Sequence, residues 1–411
     1  MDIEVKYIMD TIKSILHKKP MHTECTPAYL NELDYWKIYQ IAMKNNIANL
    51  VAFKICQDAS IPKEIRAKFD NERLKNIMQQ TKQSSVLIDL KNICEKTEKK
   101  GILLKGSIIK DYYPDPFMRS MSDIDVFMEK EDIEQLYGTF IELGYSPGVQ
   151  DKDNHYEFQK NVIAKVEFHP ELVALDSEYG EKVFLRKHPS AKSIADEMNI
   201  WNHTMDYDGC KYYRQLTPEY HYVYIVMHAL SHLLISGTGI RTFVDIWVMN
   251  HQYARKWDRK LLNGILENFG LLRFEHYALA LSDRWFELDV DGCISIEIEE
   301  DVLDAMEWFI LNSGTYGNVS NGLLKEMKHD ASAISKTKYL IHSFFLPLSD
   351  MRRYYQVLDS KPYLLPIVWI YRGFEVLIKR RSNIKNKITL VANVDQDKAD
   401  KIKELFDRMI Q

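Results

Sequence analysis

At 411 residues the chain is long for a single hydrophobic core, so two or three domains are expected. A hydrophobic share of 46% beside 27% charged residues, with only 16 glycines and 12 prolines, excludes extensive disorder and describes a helix-rich globular protein. The net charge of −5 and a pI near 6.3 speak against attachment to nucleic acid by charge alone, which needs many cations facing phosphates.

Residues 1–98 show apolar positions at helical spacing in YIMDTIKSIL and YWKIYQIAMKNNIANLVAFKI, then a long polar helix through LKNICEKTEKK, with Pro20 and Pro62 as breaks. The opening MDIEVKYIMDTIKSILHKKP sets acids before its apolar positions and has neither a basic stretch nor a small-residue cleavage site, so no secretory signal is expected. Over 99–205 the pattern becomes that of one compact α/β unit. GILLK reads as a strand, SIIKDYY as a short helix, DIDVFM as a strand, EDIEQLYGTFIELGY as a helix, and HYEFQK with AKVEFH as a strand pair. From 206 the helical period returns and holds to 411, interrupted by turns at SGTG, DVDG, NSGTYGN and DSKP. The fold class is therefore α+β, an α/β unit flanked by N-terminal helices and a larger C-terminal helical region. YLLPIVWIY is too short to cross a bilayer and contains Pro366, so no membrane span is expected. Cys25, Cys56, Cys94, Cys210 and Cys293 form no Cys-x-x-Cys pair, which fits neither a disulfide framework nor a thiolate zinc site and points to reduced thiols in a cytoplasmic protein.

The chemistry concentrates in LLKGSIIKDYYPDPFMRSMSDIDVFME, residues 103–129. On a strand, residues i and i+2 face the same way, so Asp123 and Asp125 project side by side, about 7 Å apart along the chain, while Ile124 and Val126 face the core. Two such carboxylates repel unless a cation sits with them, and hard oxygen ligands suit Mg²⁺, which takes phosphate oxygens as its other ligands. AKVEFH supplies a third acid, Glu167, with Val166 and Phe168 facing the other way. In LLKGS a strand ending at Gly106 turns into a helix at Ser107, offering backbone N–H groups to an anion, with Lys105 and Arg119 as nearby counter-charges.

Strand, Gly-Ser turn, helix and then Asp-x-Asp with a later acid resembles the DNA polymerase β type of nucleotidyltransferases. More closely, LLKGSIIKDYYPDPFMRSMSDIDVFM, followed by VEFHPEL and MHALSHLLISGTGIRTFVDIWVM, resembles the uncharacterised nucleotidyltransferase family found in bacteria. The resemblance runs from Ile102 to beyond Asp245 and returns in LLPIVWIYRGF near 364–374. It implies a minimal nucleotidyltransferase domain that uses two metal ions, Mg²⁺ or Mn²⁺, to move a nucleoside monophosphate from an NTP to an acceptor. Gly106 and Ser107 would then hold the triphosphate, and Asp123, Asp125 and Glu167 would be the metal ligands. The spacer from Ser107 to Asp123, with YYPDPFMR, is longer than in most of the superfamily, and the third acid is Glu beside His169.

His228 and His232 lie i to i+4 on one helix face, the spacing of a zinc pair, but no Glu follows the first His and no thiolate is close. They read either as a packed histidine pair or, with the resemblance, as the lining of a cleft over the nucleotide. Arg241 and Asp245 are also i to i+4, read either as a helix salt bridge of about 0.3–0.5 kcal/mol or with Arg241 reaching a phosphate. Arg372, Lys379, Arg380, Arg381, Lys385 and Lys387 form a basic cluster that suits a solvated helix end better than nucleic acid, since few aromatics are interleaved. The expected activity is Mg²⁺-dependent transfer to a hydroxyl-bearing small molecule, sugar or protein acceptor. The alternatives are a catalytically silent NTP-binding or antitoxin-like module, and an RNA-end nucleotidyltransferase using the basic C-terminal cluster.

Overall fold

The structure, a computed structural model, describes residues 2–19, 32–151, 155–160, 164–235, 237–289, 292–313, 345–346, 348, 351–352, 355, 357–379 and 396–410. Helices α1 (Ile3–Leu16), α2 (Tyr35–Lys44), α3 (Ala48–Ile55) and α4 (Lys63–Thr97) come first. Asp34 starts α2 by accepting the Trp36 and Lys37 backbone N–H groups, which would otherwise lack partners in the first turn. Pro62, whose fixed φ suits a helix entrance, precedes the 35-residue α4.

Helix α4 is divided by chemistry. Ile65 and Phe69 join the large apolar cluster of the helical body, whereas Val86, Leu90, Ile93 and Cys94 pack under the sheet. Between these stretches its buried positions are amides, Asn76, Gln80 and Gln83.

The sheet has seven strands: β1 (Gly101–Leu103), β2 (Ile124–Phe127), β3 (Ser146–Asp151), β4 (His155–Lys160), β5 (Ala164–His169), β6 (Thr204–Tyr207) and β7 (Cys210–Leu216). A one-turn helix, α5 (Gly106–Ile109), follows β1, and α6 (Lys130–Glu142) follows β2. Strand order is β3-β4-β5-β2-β1-β7-β6, with β2 parallel to β5, β1 parallel to β7 and the remaining pairs antiparallel. Period-two alternation sends Ile124, Val126, Val166, Phe168 and Phe158 to one face, where Phe140 of α6 stacks against Phe158 and Phe168 with ring centres 4.7 and 5.1 Å apart.

The sheet continues to Leu216, past the boundary at 205 that the sequence pattern gives, because β6 and β7 form a hairpin on its far side. The signal for it was Asp208-Gly209, both at positive φ (50° and 72°), a pair suited to a tight hairpin turn. β3 was also unforeseen: the sequence reading assigns no element to SPGVQD, whose Pro147 and Gly148 are poor strand formers.

Among the described residues seven longer helices follow: α7 (Pro218–Ile235), α8 (Ile240–Tyr253), α9 (Arg259–Asn268), α10 (Leu272–Phe286), α11 (Glu300–Ser313), α12 (Leu365–Lys379) and α13 (Gln396–Ile410). Tyr7, Ile8 and Ile12 of α1 share one apolar cluster with Phe243 and Trp247 of α8, Tyr277 of α10 and Met409 of α13. Helices of the N-terminal and C-terminal regions thus bury their apolar faces in a common core, while Met351, Leu358 and Val368 of α12 and its approach form a small separate cluster.

Candidate functional site

The parallel register of β2 and β5 sets Asp125 opposite Glu167 and Phe127 opposite His169, while β4 sets Glu157 opposite Glu167. Since their neighbours in sequence face the apolar core, these polar side chains share the other face of the sheet. There, Asp125 Oδ1 accepts from Lys105 Nζ at 2.9 Å and from His169 Nε2 at 2.8 Å, and His169 Nε2 stands 3.8 Å from Glu167 Oε2. One ligand atom each of Asp125, Glu167 and His169 lie within 4.8 Å of one another, as do those of His155, Glu157 and Glu167. Lys165 bridges the latter acids, 2.9 Å from Glu157 and in contact with Glu167. Asp123, just before β2, accepts from Ser122 Oγ at 3.0 Å and stands outside both groupings among the described residues.

The two aspartates of the pair are electrostatically unlike. Burial raises the Asp123 carboxyl above the ordinary range, and repulsion from Asp125 and Glu167 adds to it. Burial acting alone would also raise Asp125, but Lys105 and His169 outweigh it and hold that carboxyl well below the ordinary range.

Lys105 sits in the turn between β1 and α5 at φ 47° and ψ −122°, a conformation that favours glycine and costs a lysine about 1–3 kcal/mol. Gly106 has a different constraint. A Cβ there would lie 2.1 Å from Arg119 Nη1 and 2.7 Å from Met121 Cγ, so only glycine admits this approach. Ser107 follows with its Oγ buried and without a hydrogen-bond partner.

Arg119 and Asp245 meet across the fold rather than at the carboxylates. Arg119 Nε and Nη2 bind Asp245 Oδ1 and Oδ2 at 3.1 and 2.8 Å, and Tyr113 Oη donates to Oδ1 at 2.7 Å. This cluster fixes α8 behind Gly106. Arg241 donates to Ser120 O and Oγ at 3.3 and 3.4 Å, beside the same loop.

The loop 116–122, which delivers Asp123 and Asp125, is held by side-chain amides. Asn76 and Asn49 donate to Phe117 O (2.6 and 3.2 Å), Gln80 to Arg119 O (2.7 Å), and Gln79 to Met121 O (2.7 Å). The sequence reading missed these residues, although NIMQQTKQ offered a visible run of amides in an otherwise charged helix.

Helix α7 presents Tyr224, His228 and His232, at four-residue spacing, toward the carboxylate face. Tyr224 is hydrogen-bonded to Lys105, and burial pushes its hydroxyl up to about 12. The imidazoles of His228 and His232 approach at Nε2–Nε2 3.0 Å, so one nitrogen donates and the other accepts. Burial, reinforced by Lys105, holds His228 well below the usual range, and the same causes bring His232, open to solvent at its rim, down to about 4. Among the described residues neither histidine joins a group of three metal-ligating atoms. Tyr224, four residues before His228, was another omission of the sequence reading.

Among the described residues Cys56, Cys94, Cys210 and Cys293 form no disulfide, and Cys25 lies outside the described residues. In the basic cluster Arg380, Arg381, Lys385 and Lys387 also lie outside them. No described helix is long and apolar enough to cross a membrane.

A family model described as uncharacterised nucleotidyltransferase matches residues 31–287, more than half of the 411-residue chain and inclusive of every side chain of the carboxylate face. No curated protein and no solved structure matches it.

Proposed function

The chain belongs to this uncharacterised nucleotidyltransferase family, and from that premise we propose that it moves a nucleoside monophosphate from an NTP to a hydroxyl-bearing small molecule, sugar or protein acceptor, with the polymerase-β-type arrangement of site residues. The observation that carries the proposal is the grouping of Asp125, Glu167 and His169 within 4.8 Å, next to a turn whose buried Ser107 hydroxyl lacks a partner inside the protein.

The donor set fits a divalent cation such as Mg²⁺ or Mn²⁺: carboxylate oxygens of Asp125 and Glu167 on adjacent strands, with Asp123 one residue before β2. When bound, such an ion supplies Lewis-acid polarisation of the phosphoryl oxygens and lowers the pKa of the acceptor hydroxyl. Lys105 and Ser107 bind and orient the triphosphate, Lys105 as a point charge and Ser107 through its hydroxyl. Arg119 supports this turn from behind. Arg241 lies beside the Ser120 end of the same loop, within reach of a phosphate tail once its weak contacts there are exchanged. His228 and His232 cover the face from α7; held neutral, with one Nε2 donating to the other, their shared Nε2 pair has no lone pair left to take a proton, so their role is to line the face. Three mutually repelling acids retained together favour turnover over a silent binding module.

Incubating the protein with each labelled NTP and Mg²⁺ or Mn²⁺ in cell extract, then identifying by mass whatever gains a nucleotide, tests the proposal. Labelling should appear with wild type and disappear with Asp123→Asn and Glu167→Gln. Labelling that persists in both variants would overturn the assignment.

A further inference from the structure

Building on the assignment of Asp125 as a metal ligand, we propose that Lys105 is the resident counter-cation of the carboxylate face, which releases Asp125 only when a triphosphate draws the ammonium away, making divalent-cation binding conditional on nucleotide. Lys105 Nζ lies 2.9 Å from Asp125 Oδ1, with the two side chains only 18% and 7% exposed, so water does little to screen the pair. His169 Nε2 donates to the same oxygen at 2.8 Å, leaving Oδ1 with two donors. A divalent ion approaching that oxygen meets an ammonium already within hydrogen-bond range, and the two cations repel.

The backbone says the lysine is held there for its side chain. At φ 47° and ψ −122° a glycine would sit without strain, yet the position carries Lys. Tyr224 from α7 bonds to Lys105 as well, so strand turn and helix both fix the ammonium over the acid. What can remove it is a group of higher negative charge that offers better ligands. A nucleoside triphosphate is that class of ligand, and Ser107, two residues on, has a buried hydroxyl with no partner in the protein to receive it. Movement of Nζ from Asp125 to a phosphate oxygen would free the carboxylate at the moment the phosphates supply the cation's remaining ligands.

The test measures Mn²⁺ binding from the loss of the free-ion EPR signal, with and without a non-hydrolysable NTP, in wild type, Lys105→Met, Lys105→Gln and Asp125→Asn, with folding checked by circular dichroism. Wild type should bind Mn²⁺ at least about tenfold more tightly with nucleotide than without it. Lys105→Met should bind Mn²⁺ alone about tenfold more tightly than wild type and lose most of the nucleotide effect. Should the Met variant fail to fold, Lys105→Gln, which keeps a hydrogen bond without the charge, carries the same expectation. The proposal is overturned, with the site assignment intact, if the neutral variants bind Mn²⁺ alone no better than wild type while Asp125→Asn weakens binding. If Asp125→Asn binds Mn²⁺ as wild type does in the presence of nucleotide, the site assignment itself fails and the proposal with it.

Discussion

Asp245→Ala separates two views of one residue. Read along helix α8, Asp245 pairs with Arg241 one turn earlier, and an exposed pair of that kind contributes about 0.3–0.5 kcal/mol. In the fold its carboxylate instead takes both arms of Arg119 at 3.1 and 2.8 Å and the Tyr113 hydroxyl at 2.7 Å, with the three residues only 6%, 5% and 5% exposed for Arg119, Asp245 and Tyr113. Removing the carboxylate strands a buried guanidinium, which costs about 3–5 kcal/mol. It also leaves a buried hydroxyl without its acceptor, a further loss of about 1 kcal/mol. The expected destabilisation is therefore about 4–6 kcal/mol, some tenfold above the helix-pair value. Urea unfolding should show a lowered midpoint with unchanged slope, and the double variant Arg119→Met with Asp245→Leu should recover most of the loss, since an apolar pair leaves no charge stranded. Because Arg119 backs Gly106, Asp245→Ala should also weaken NTP binding. A destabilisation below about 1 kcal/mol, or no recovery in the double variant, would refute the buried-cluster account.

Ser107→Ala should leave stability unchanged or raise it by up to about 1 kcal/mol, because it deletes an unsatisfied buried hydroxyl, yet reduce NTP affinity about tenfold in calorimetric titration; lost stability with full affinity would mark a packing role. Asp123→Asn should raise the melting temperature slightly by relieving repulsion, whereas Asp125→Asn should lower stability by about 3 kcal/mol by unpairing Lys105 and His169; equal melting shifts in the two variants would contradict the asymmetry. His221 is buried and held down to about 4, so folding favours its neutral form: its contribution is complete above the unfolded value near 6.5 and declines as pH falls from there to about 4. His221→Leu should therefore flatten the fall in urea midpoint over that window by up to about 1.4 kcal/mol per pH unit, and an unchanged slope would exclude His221 as a source.

The sequence by itself determined the local periodicities. Alternation in DIDVFM and AKVEFH dictates that Asp125 and Glu167 turn away from the apolar side, whatever lies beyond, because side chains on a strand alternate and one face had to be buried. The helical period read over residues 1–98 and from 206 onward is equally local, and the resemblance carried by KGS and DID needs no three-dimensional information. The tertiary structure alone decided the pairings. Nothing near Asp245 in sequence names Arg119, 126 residues away, as its partner. Likewise, the Asn and Gln side chains of α4 that hold loop 116–122, the seat of Lys105 on Asp125, and β7 beside β1 depend on segments brought together by burial of two apolar cores. The physical reason is one of magnitude: a helical i,i+4 contact is worth a few tenths of a kcal/mol, while leaving a charge unpaired in the interior costs several, so long-range packing chooses the partner.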